Sequence, residues 1–536
     1  MKIFIVQNIK LPIEASKDDV FAEAKQRLLK FFSNESIVSL EIYKSSVDAR
    51  RKGHILFVYS VSAAIREGAA ADAEKLLANG IVPSAGNTEP RAEFGTEPLS
   101  ERPVIVGFGP CGMFCALLLA RNGYRPIIVE RGADISERTE DVRRFYEEGR
   151  LNPESNIQYG AGGAGTFSDG KLVTRIHDPN CGFVLEEMCR LGAPAEILHQ
   201  AKPHVGTDYL KTVVSQMEQK ITALGGEVRY HTKLEKLSFE GNRITGVRTS
   251  KGEIPCGVLI LALGHSARDT FDMLAASGIG MIPKSFSVGV RIEHLQKRID
   301  EALYGDFAGD PRLPKGEYQL SCHHGDRGVY TFCMCPGGQV VAGSSEFGGV
   351  VTNGMSDFLR AGTNANSAVA VSVNPADYGG TVDGAVAFQR RLEHLAYCAG
   401  GSSYAAPCET VGDFLGVTHG KEPSAVLPTY RNGRVRISPL EKILPGFVSE
   451  SLKYGLISFD RKLRGFAACE AVLTGVETRT SSPIRIPRDD FGLAYGYVNL
   501  YPAGEGAGYA GGITSAAADG IRCALAVMKR YRNPSL

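Results

Sequence analysis

Apolar residues gather in three short runs near the start of the chain: IFIVQNI at 3–9, IVSLEIYKS at 37–45 and HILFVYSVS at 54–62. Short runs rich in Ile, Val, Phe and Tyr read as strands. Between and after them, SKDDVFAEAKQRLLKFF and EGAAADAEKLLANG read as helices. The order β-α-β-β-α predicts a ferredoxin-like α+β unit over residues 1–81, with SSVDARRKG as a basic hairpin loop. Residues 82–102 are polar and rich in Pro, Gly and Glu, the composition of a linker. From 103 the pattern changes. An apolar strand, VIV, runs into a cluster of glycines, an apolar helical stretch ends at Gly123, and a second apolar strand, PIIV, follows. From Gly225, short alternating runs with turns at EGN and SKG predict a β-meander that leads into VLILALG. Residues 281–489 mix strands, glycine turns and an asparagine-rich stretch, and read as an inserted α+β substrate or cap unit. The expected fold is therefore α/β: a Rossmann-like domain in two parts, 103–280 and 490–536, with the β-meander in the first part, the insertion between them, and the N-terminal unit ahead.

Two glycine-rich segments almost 400 residues apart give the Rossmann-like parts a function. In VIVGFGPCGMFCALLLARNGYRPIIVER, Gly107 allows a tight turn, Gly109 lets backbone approach a pyrophosphate, and Gly112 lets the helix pack close to the strand. The helix N-terminus then faces the phosphates. Glu130 stands at the distance expected of the carboxylate that holds ribose hydroxyls, and Pro110, Cys111 and Arg131 are counted with the same site. The loop IQYGAGGAGTFSDGKL is too glycine-dense for a core element, so the backbone N–H groups of Gly162, Gly163, Ala164, Gly165 and Thr166 are expected to face the ligand. The second segment, YPAGEGAGYAGGITSAAADG, resembles the C-terminal flavin motif of flavoproteins with two dinucleotide-binding folds. There the acidic residue, here Glu505 between Gly504 and Gly506, holds the ribityl chain, and the helix start Gly511-Gly512-Ile513 faces the flavin. Gly264, in VLILALGHSARDT, occupies a turn that flavoproteins place beside the cofactor, and Leu234 lies where relatives offer backbone to adenine. FAD is the expected cofactor.

Composition changes this picture only by exclusion. A formal net charge of +1 gives no global drive toward nucleic acid or anionic membranes. Twelve irregularly spaced cysteines, no zinc-ribbon spacing and an N-terminus that turns polar early predict a cytoplasmic protein without a disulfide framework. No apolar run approaches the ~18 residues of a membrane span.

The segments NIQYGAGGAGTFSDGKL, FSVGVRIEH, YTFCMCPGGQVVAGSSE, VVTNGMS and RTSSPIRI, with the N-terminal unit and its DARRK loop, resemble over nearly the whole chain the uncharacterised FAD-dependent dehydrogenases widespread in bacteria. The resemblance implies an FAD-binding oxidoreductase with a small N-terminal domain and a cap, acting on a small-molecule substrate. An external electron donor or acceptor is implied, with NAD(P)H docking directly on the flavin as one candidate, because no second glycine-rich βαβ unit is seen. Because flavin carries the redox chemistry, catalytic side chains leave a faint trace in the sequence. His265 and Arg268 are candidates to stabilise phosphate or reduced flavin, and Asp169, Lys171 and Arg291 to handle a carboxylate or phosphate. Cys322, His323 and His324 with Cys333 and Cys335 do not have the spacing of a metal site. On an uninterrupted strand Cys333 and Cys335 point the same way, and the reading preferred is two small apolar side chains packed on the cap, with a redox-active pair as the alternative. Lys44, Arg50, Arg51 and Lys52 keep open an action on RNA, and a non-catalytic flavin sensor is a further class.

Overall fold

The computed structural model describes residues 1–51, 53–66, 72–84, 86 and 89–534. Lys52 of the basic loop and the start of the EGAAADAEKLLANG stretch lie outside them. Strands β1 (Lys2–Pro12), β2 (Ile37–Asp48), β3 (Leu56–Ile65) and β4 (Ile81–Pro83) form an antiparallel sheet in the order β2-β3-β1-β4. Helices α1 (Lys17–Leu28) and α2 (Ala73–Ala78) complete the unit. Helix α1 is set by a capping box between Ser16 and Asp19 and buries Val20, Ala24 and Leu28 against the sheet. Two features differ from the sequence reading. Val82 and Pro83 belong to β4 rather than to a linker. The segment after them is also not free: Gly95 N–H donates to the Met528 carbonyl (2.9 Å), and Arg530 pairs with Glu97 (2.9 Å). A polar composition hid this docking because it is made by backbone groups and a charged pair.

Next come β5 (Pro103–Val106), α3 (Pro110–Arg121), β6 (Ile127–Val129), α4 (Ile135–Glu148), α5 (Asn180–Arg190), α6 (Gly206–Ala223) and β7 (Glu227–Arg229). A meander of β8 (Leu234–Glu240), β9 (Arg243–Thr249) and β10 (Gly252–Pro255) leads to β11 (Val258–Leu261) and α7 (Arg268–Ala276). The chain then leaves this unit through β12 (Ile282–Pro283). It builds a seven-stranded sheet from β13 (Phe286–Leu295), β14 (Ser321–His324), β15 (Arg327–Cys335), β18 (Asn364–Val373), β19 (Ala406–Thr410), β20 (Val435–Ile437) and β21 (Val472–Glu477), in the order β14-β15-β18-β13-β21-β19-β20. A hairpin of β16 (Gln339–Ala342) and β17 (Thr352–Met355) interrupts it. Helices α8 (Gln296–Tyr304), α9 (Val382–Ala399), α10 (Val411–Phe414) and α11 (Gly446–Lys462) belong to this part of the chain, and α11 lies against β14 and β15. On the way back β22 (Ile484–Arg485) pairs with β12, so the two crossings are stitched together. Finally β23 (Leu500–Pro502) joins β11, and α12 (Ile513–Arg530) packs along α3.

The resulting parallel sheet runs β23-β11-β5-β6-β7. Its strands β5, β6 and β11 are buried throughout, as expected where helices or a second layer cover both faces. Because the chain moves from β5 toward β7 and later resumes at β11 on the other side, the order reverses between β5 and β11. That reversal is the hallmark of a doubly wound, Rossmann-like fold. No helix among the described residues is long and apolar enough to cross a membrane.

Candidate cofactor cleft

A doubly wound sheet binds ligands beyond the carboxyl ends of its strands, where the strand order reverses. Three glycine-rich segments converge there. Gly107 ends β5 with φ +104°, and a Cβ at this position would stand 2.6 Å from the Ala262 carbonyl oxygen at the end of β11. A Cβ on Gly112 would meet the Gly107 carbonyl at 2.0 Å, so only glycine lets α3 start this close to the strand. Helix α3 has Gly109 as its N-cap, with no side chain capping it, and Pro110 in its first turn. Its first N–H groups are left for another acceptor. Facing Gly109 is Gly163, at φ +62°, whose Cβ would come 2.9 Å from Gly109 Cα. Ala164, Gly165 and Thr166 form a single turn of 3-10 helix, and Gly165 touches Ile513 at the start of α12. Gly162 is turned against Thr166 and Val214, and the N–H groups of Gly162, Gly163 and Thr166 donate to the carbonyls of Phe108 (2.8 Å), Gly160 (2.9 Å) and Gly163 (3.2 Å), so the expectation that all five loop N–H groups face a ligand is not met and those of Ala164 and Gly165 remain for it. The structure thus brings Gly107, Gly109, Pro110, Gly112, Gly162–Thr166 and Ile513 together. Cys111 is placed differently, with its side chain buried against α12 beside Gly504 and its backbone against Gly520.

Glu130, just past β6, is buried. Its carboxylate accepts from Phe108 N–H (2.9 Å), Gly132 N–H (2.9 Å) and Gly160 N–H (3.0 Å). A carboxylate has about four acceptor sites, so roughly one remains for a ligand. Arg131 forms two 2.9 Å hydrogen bonds to Asp269, pairs with Glu154 and lies over the Tyr159 ring. Leu234 is buried at the start of β8, opposite Thr249. One organiser escaped sequence reasoning. Arg138 of α4 is fully buried and donates to the carbonyls of Asn156 (2.8 Å), Ile157 (2.8 Å) and Ala161 (2.5 Å), fixing the approach to the glycine loop. Burial lowers its pKa to about 10, so it stays charged at neutral pH. In the sequence it stands in ISERTEDVRRFYEE, which reads as a solvated helix.

The C-terminal segment enters beside β11. Gly506 N–H donates to the Leu263 carbonyl (2.8 Å), and Gly504 N–H donates to Asp519 (2.7 Å), itself held by Arg488. These contacts leave the side chain of Glu505 directed elsewhere. Among the described residues its carboxylate has no hydrogen-bond partner. Burial pushes its pKa up to about 7, opposed by Lys284 and reinforced by Cys333. Around it the surface is open: Gly264, Gly511 and Gly512 are exposed, and a Cβ on any of them would meet nothing within 4 Å. Helix α12 begins at Gly512, again without a side-chain cap. Two uncapped helix starts, a close glycine-on-glycine contact and an orphaned carboxylate fit a dinucleotide that carries both phosphates and a polyhydroxyl chain. The residues present fit FAD.

Other candidates are corrected by their surroundings. His265 is half-buried, and burial with Arg479 and Arg268 nearby lowers its pKa to about 3, so it is neutral and offers no charge to an anion. Arg268 is committed to Glu393 (2.7 and 2.9 Å), Glu346 (2.6 Å) and Gln389 (2.9 Å), and is not available for phosphate. Arg291 is equally occupied: it holds Glu477 with two hydrogen bonds (2.9 and 3.0 Å) and donates to the Cys333 carbonyl (2.8 Å). Asp169 accepts from Arg360 and Ser356 and pairs with Lys171 (2.8 Å), which also reaches Glu317 (3.6 Å). These are interior ion pairs rather than surface salt bridges. His324 stacks on Tyr454, and in the basic loop Arg50 is neutralised by Asp48. The largest departure concerns Cys333 and Cys335. Strand β15 pairs Phe332 with Ala368 but Cys335 with Asn366, so a β-bulge inserts an extra residue. Cys333 takes φ +45°, and strict alternation ends there. Cys335 is fully buried, whereas Cys333 is half-buried within reach of Arg291, Lys171, Glu477 and Glu505. Apolar packing does not describe that environment.

Comparison with known proteins agrees with this geometry. Residues 285–480 match the family model "FAD-dependent protein, C-terminal domain-like", and residues 5–64 match one described as a domain of unknown function. An "Uncharacterized protein" of Clostridium beijerinckii is 45% identical over 99% of this chain and 99% of its own length. The probable electron transfer flavoprotein-quinone oxidoreductase YdiS of Escherichia coli is 27% identical over 35% of this chain and 42% of its own. The structure of glycine oxidase from Bacillus cereus aligns with 81% of this chain and 99% of its own at 12% identity, with a TM-score of 0.36. With a relative matched from end to end, an FAD-dependent family model over the inserted unit and a cleft shaped for a dinucleotide, the chain belongs to one family of FAD-dependent proteins with the Clostridium beijerinckii protein, and its cofactor is FAD.

Proposed function

We propose that the protein is an FAD-dependent dehydrogenase or reductase that oxidises or reduces a small molecule in the cleft between the parallel sheet and the inserted sheet. The observation that carries this reading is the Glu505 carboxylate, unpartnered and half-buried beside Cys333 of the bulged β15, with the uncapped starts of α3 and α12 against the same glycine loop. When bound, FAD supplies the electron-transfer chemistry. The chain's part is to hold and enclose it. The start of α3, with Gly109 and Gly112, would donate N–H groups to the pyrophosphate, while the Gly107 N–H is held by the Val129 carbonyl and shapes the turn before it. Glu130 accepts from the ribose, and Arg131 braces that end through Asp269. The 162–166 loop covers the phosphates, Glu505 accepts from ribityl hydroxyls, and the start of α12 presents N–H groups to the flavin ring. Electrons are exchanged with an external partner, for which NAD(P)H is the first candidate.

The test is to purify the full chain, identify the flavin released on denaturation, and titrate the holoprotein anaerobically with NADH and NADPH, then with chemical and photochemical reductants followed by acceptors. FAD that is reduced and reoxidised through external partners is expected. Protein that retains FAD yet exchanges electrons with none of them would indicate a flavin-binding sensor. Copurified nucleic acid, read from the ultraviolet absorbance ratio, would move the reading toward RNA.

A further inference from the structure

Cys333 and Cys335 occupy a part of the cleft that holding FAD does not explain. The bulge in β15 breaks the strict alternation between them and leaves the two thiols within hydrogen-bonding reach of each other. The Cys335 thiol donates to the Cys333 carbonyl at 3.3 Å. The same carbonyl is fixed by Arg291, whose guanidinium is locked in turn by Glu477, Asn353 and Asn366. The structure therefore spends a buried arginine on holding one cysteine in a left-handed conformation that non-glycine residues rarely adopt. Cys333 keeps an accessible surface and Cys335 has none.

We propose that Cys333 and Cys335 form a redox-active dithiol, with Cys333 the attacking and Cys335 the resolving thiol, that reacts with a small disulfide entering the cleft. Cys333, as thiolate, attacks one sulfur of the disulfide R–S–S–R. The S–S bond breaks, a mixed disulfide forms on Cys333, and one thiol leaves with the proton Cys333 gave up. Cys335 then loses its proton and attacks Cys333 Sγ, closing the intrachain disulfide and releasing the second thiol. Two S–H bonds of the protein are exchanged for two in the product, so the chain is oxidised by two electrons and the small disulfide reduced by two.

The charges facing the pair suit this division of labour. Arg291 on β13 and Lys171 beyond the glycine loop are cationic. Glu477 on β21, Glu505 and Asp169 oppose them. The Cys335 hydrogen bond, with Arg291 and Lys171, draws the Cys333 thiol below its ordinary range despite burial and Glu477. The Cys335 thiol is driven up by its neighbour and by burial. A low-pKa accessible thiol beside a high-pKa buried one is the asymmetry that attacking and resolving cysteines show.

The inference rests on the reading of the cleft as a redox site, but its test follows sulfur rather than flavin. The holoprotein is incubated at neutral pH with 2-hydroxyethyl disulfide, and the peptide containing both cysteines is weighed under acid quench. Wild type should lose both thiols without retaining an adduct. Cys335→Ser should accumulate the mixed disulfide on Cys333, and Cys333→Ser should form neither product, with flavin absorbance reporting that each variant is folded. Native protein whose two thiols stay reduced, or an adduct that forms equally well in Cys333→Ser, overturns the proposal. If FAD proved absent while the adduct pattern held, the cofactor reading would fail and the dithiol would stand.

Discussion

At the scale of single residues, the cleft controls protonation at Glu505. An ordinary glutamate ionises near ~4.3 in an unfolded chain, and in the fold burial delays this to about 7. Between those values the folded apoprotein binds the extra proton. Its stability is therefore fully present at the acid end of the window and is lost as pH rises through the folded value, by at most roughly 4 kcal/mol. Glu505→Gln, which carries no charge at any pH, should flatten that decline, seen as urea midpoints of the flavin-free protein that no longer fall across the window. An unchanged decline would place the responsible group elsewhere. Glycine positions make a second residue-scale case. Gly163→Ala puts a Cβ 2.9 Å from Gly109 Cα at a residue with φ +62°, a strain of about 1–2 kcal/mol. The variant should fold, by circular dichroism, yet leave purification with much less flavin than wild type. Gly109→Val should lose more, since its side chain enters the contact with Gly163. Full flavin in both would show that the pyrophosphate lies elsewhere.

At the scale of elements, the glycine loop is held from behind by α4. Replacing Arg138 with Leu would strand the buried carbonyls of Asn156 and Ile157, the Ala161 carbonyl keeping the Thr166 hydroxyl, and should cost about 2–4 kcal/mol, measured by urea denaturation. Because the Asn156–Ala161 backbone would relax, flavin release should quicken as well. Stability lost with flavin retention unchanged would make Arg138 a packing residue only. This element also marks where sequence reasoning stopped. Gly107, Gly112 and Gly163 were legible because a close backbone approach or a positive φ excludes other residues and leaves a pattern. Arg138 was not, because its burial is decided by a loop some twenty residues later. The bulge in β15 was equally hidden: Phe332, Cys333 and Met334 carry no turn residue, and the register shift comes from pairing with β18. The orphaned carboxylate of Glu505 was legible as a motif, whereas its raised pKa required the fold to bury it and to bring Cys333 beside it, against the opposing charge of Lys284.

At the scale of the whole molecule, a buried charge network joins the parallel-sheet unit to the inserted one. Glu393 on α9 accepts from Arg268 at the start of α7 (2.7 and 2.9 Å) and from Arg479 beyond β21 (2.8 and 3.1 Å), with Thr478 adding 2.7 Å. The two arginines hold its carboxyl well below the ordinary range in spite of burial. A pair of buried charges contributes little net stability when complete, but removing one partner leaves the others uncompensated at a cost of about 3–5 kcal/mol. Glu393→Gln would leave Arg268 and Arg479 to share Glu346, which also pairs with Arg390, so two buried cations would face one carboxylate and a neutral amide. The network lies next to His265 and spans both halves of the cleft. The loss should therefore appear as faster backbone hydrogen exchange in α7 and α9 together, with β1–β4 unchanged. Exchange that quickens in α9 alone would mean the network only braces the inserted unit, and that the two sides of the cleft are held by the β12–β22 crossing instead.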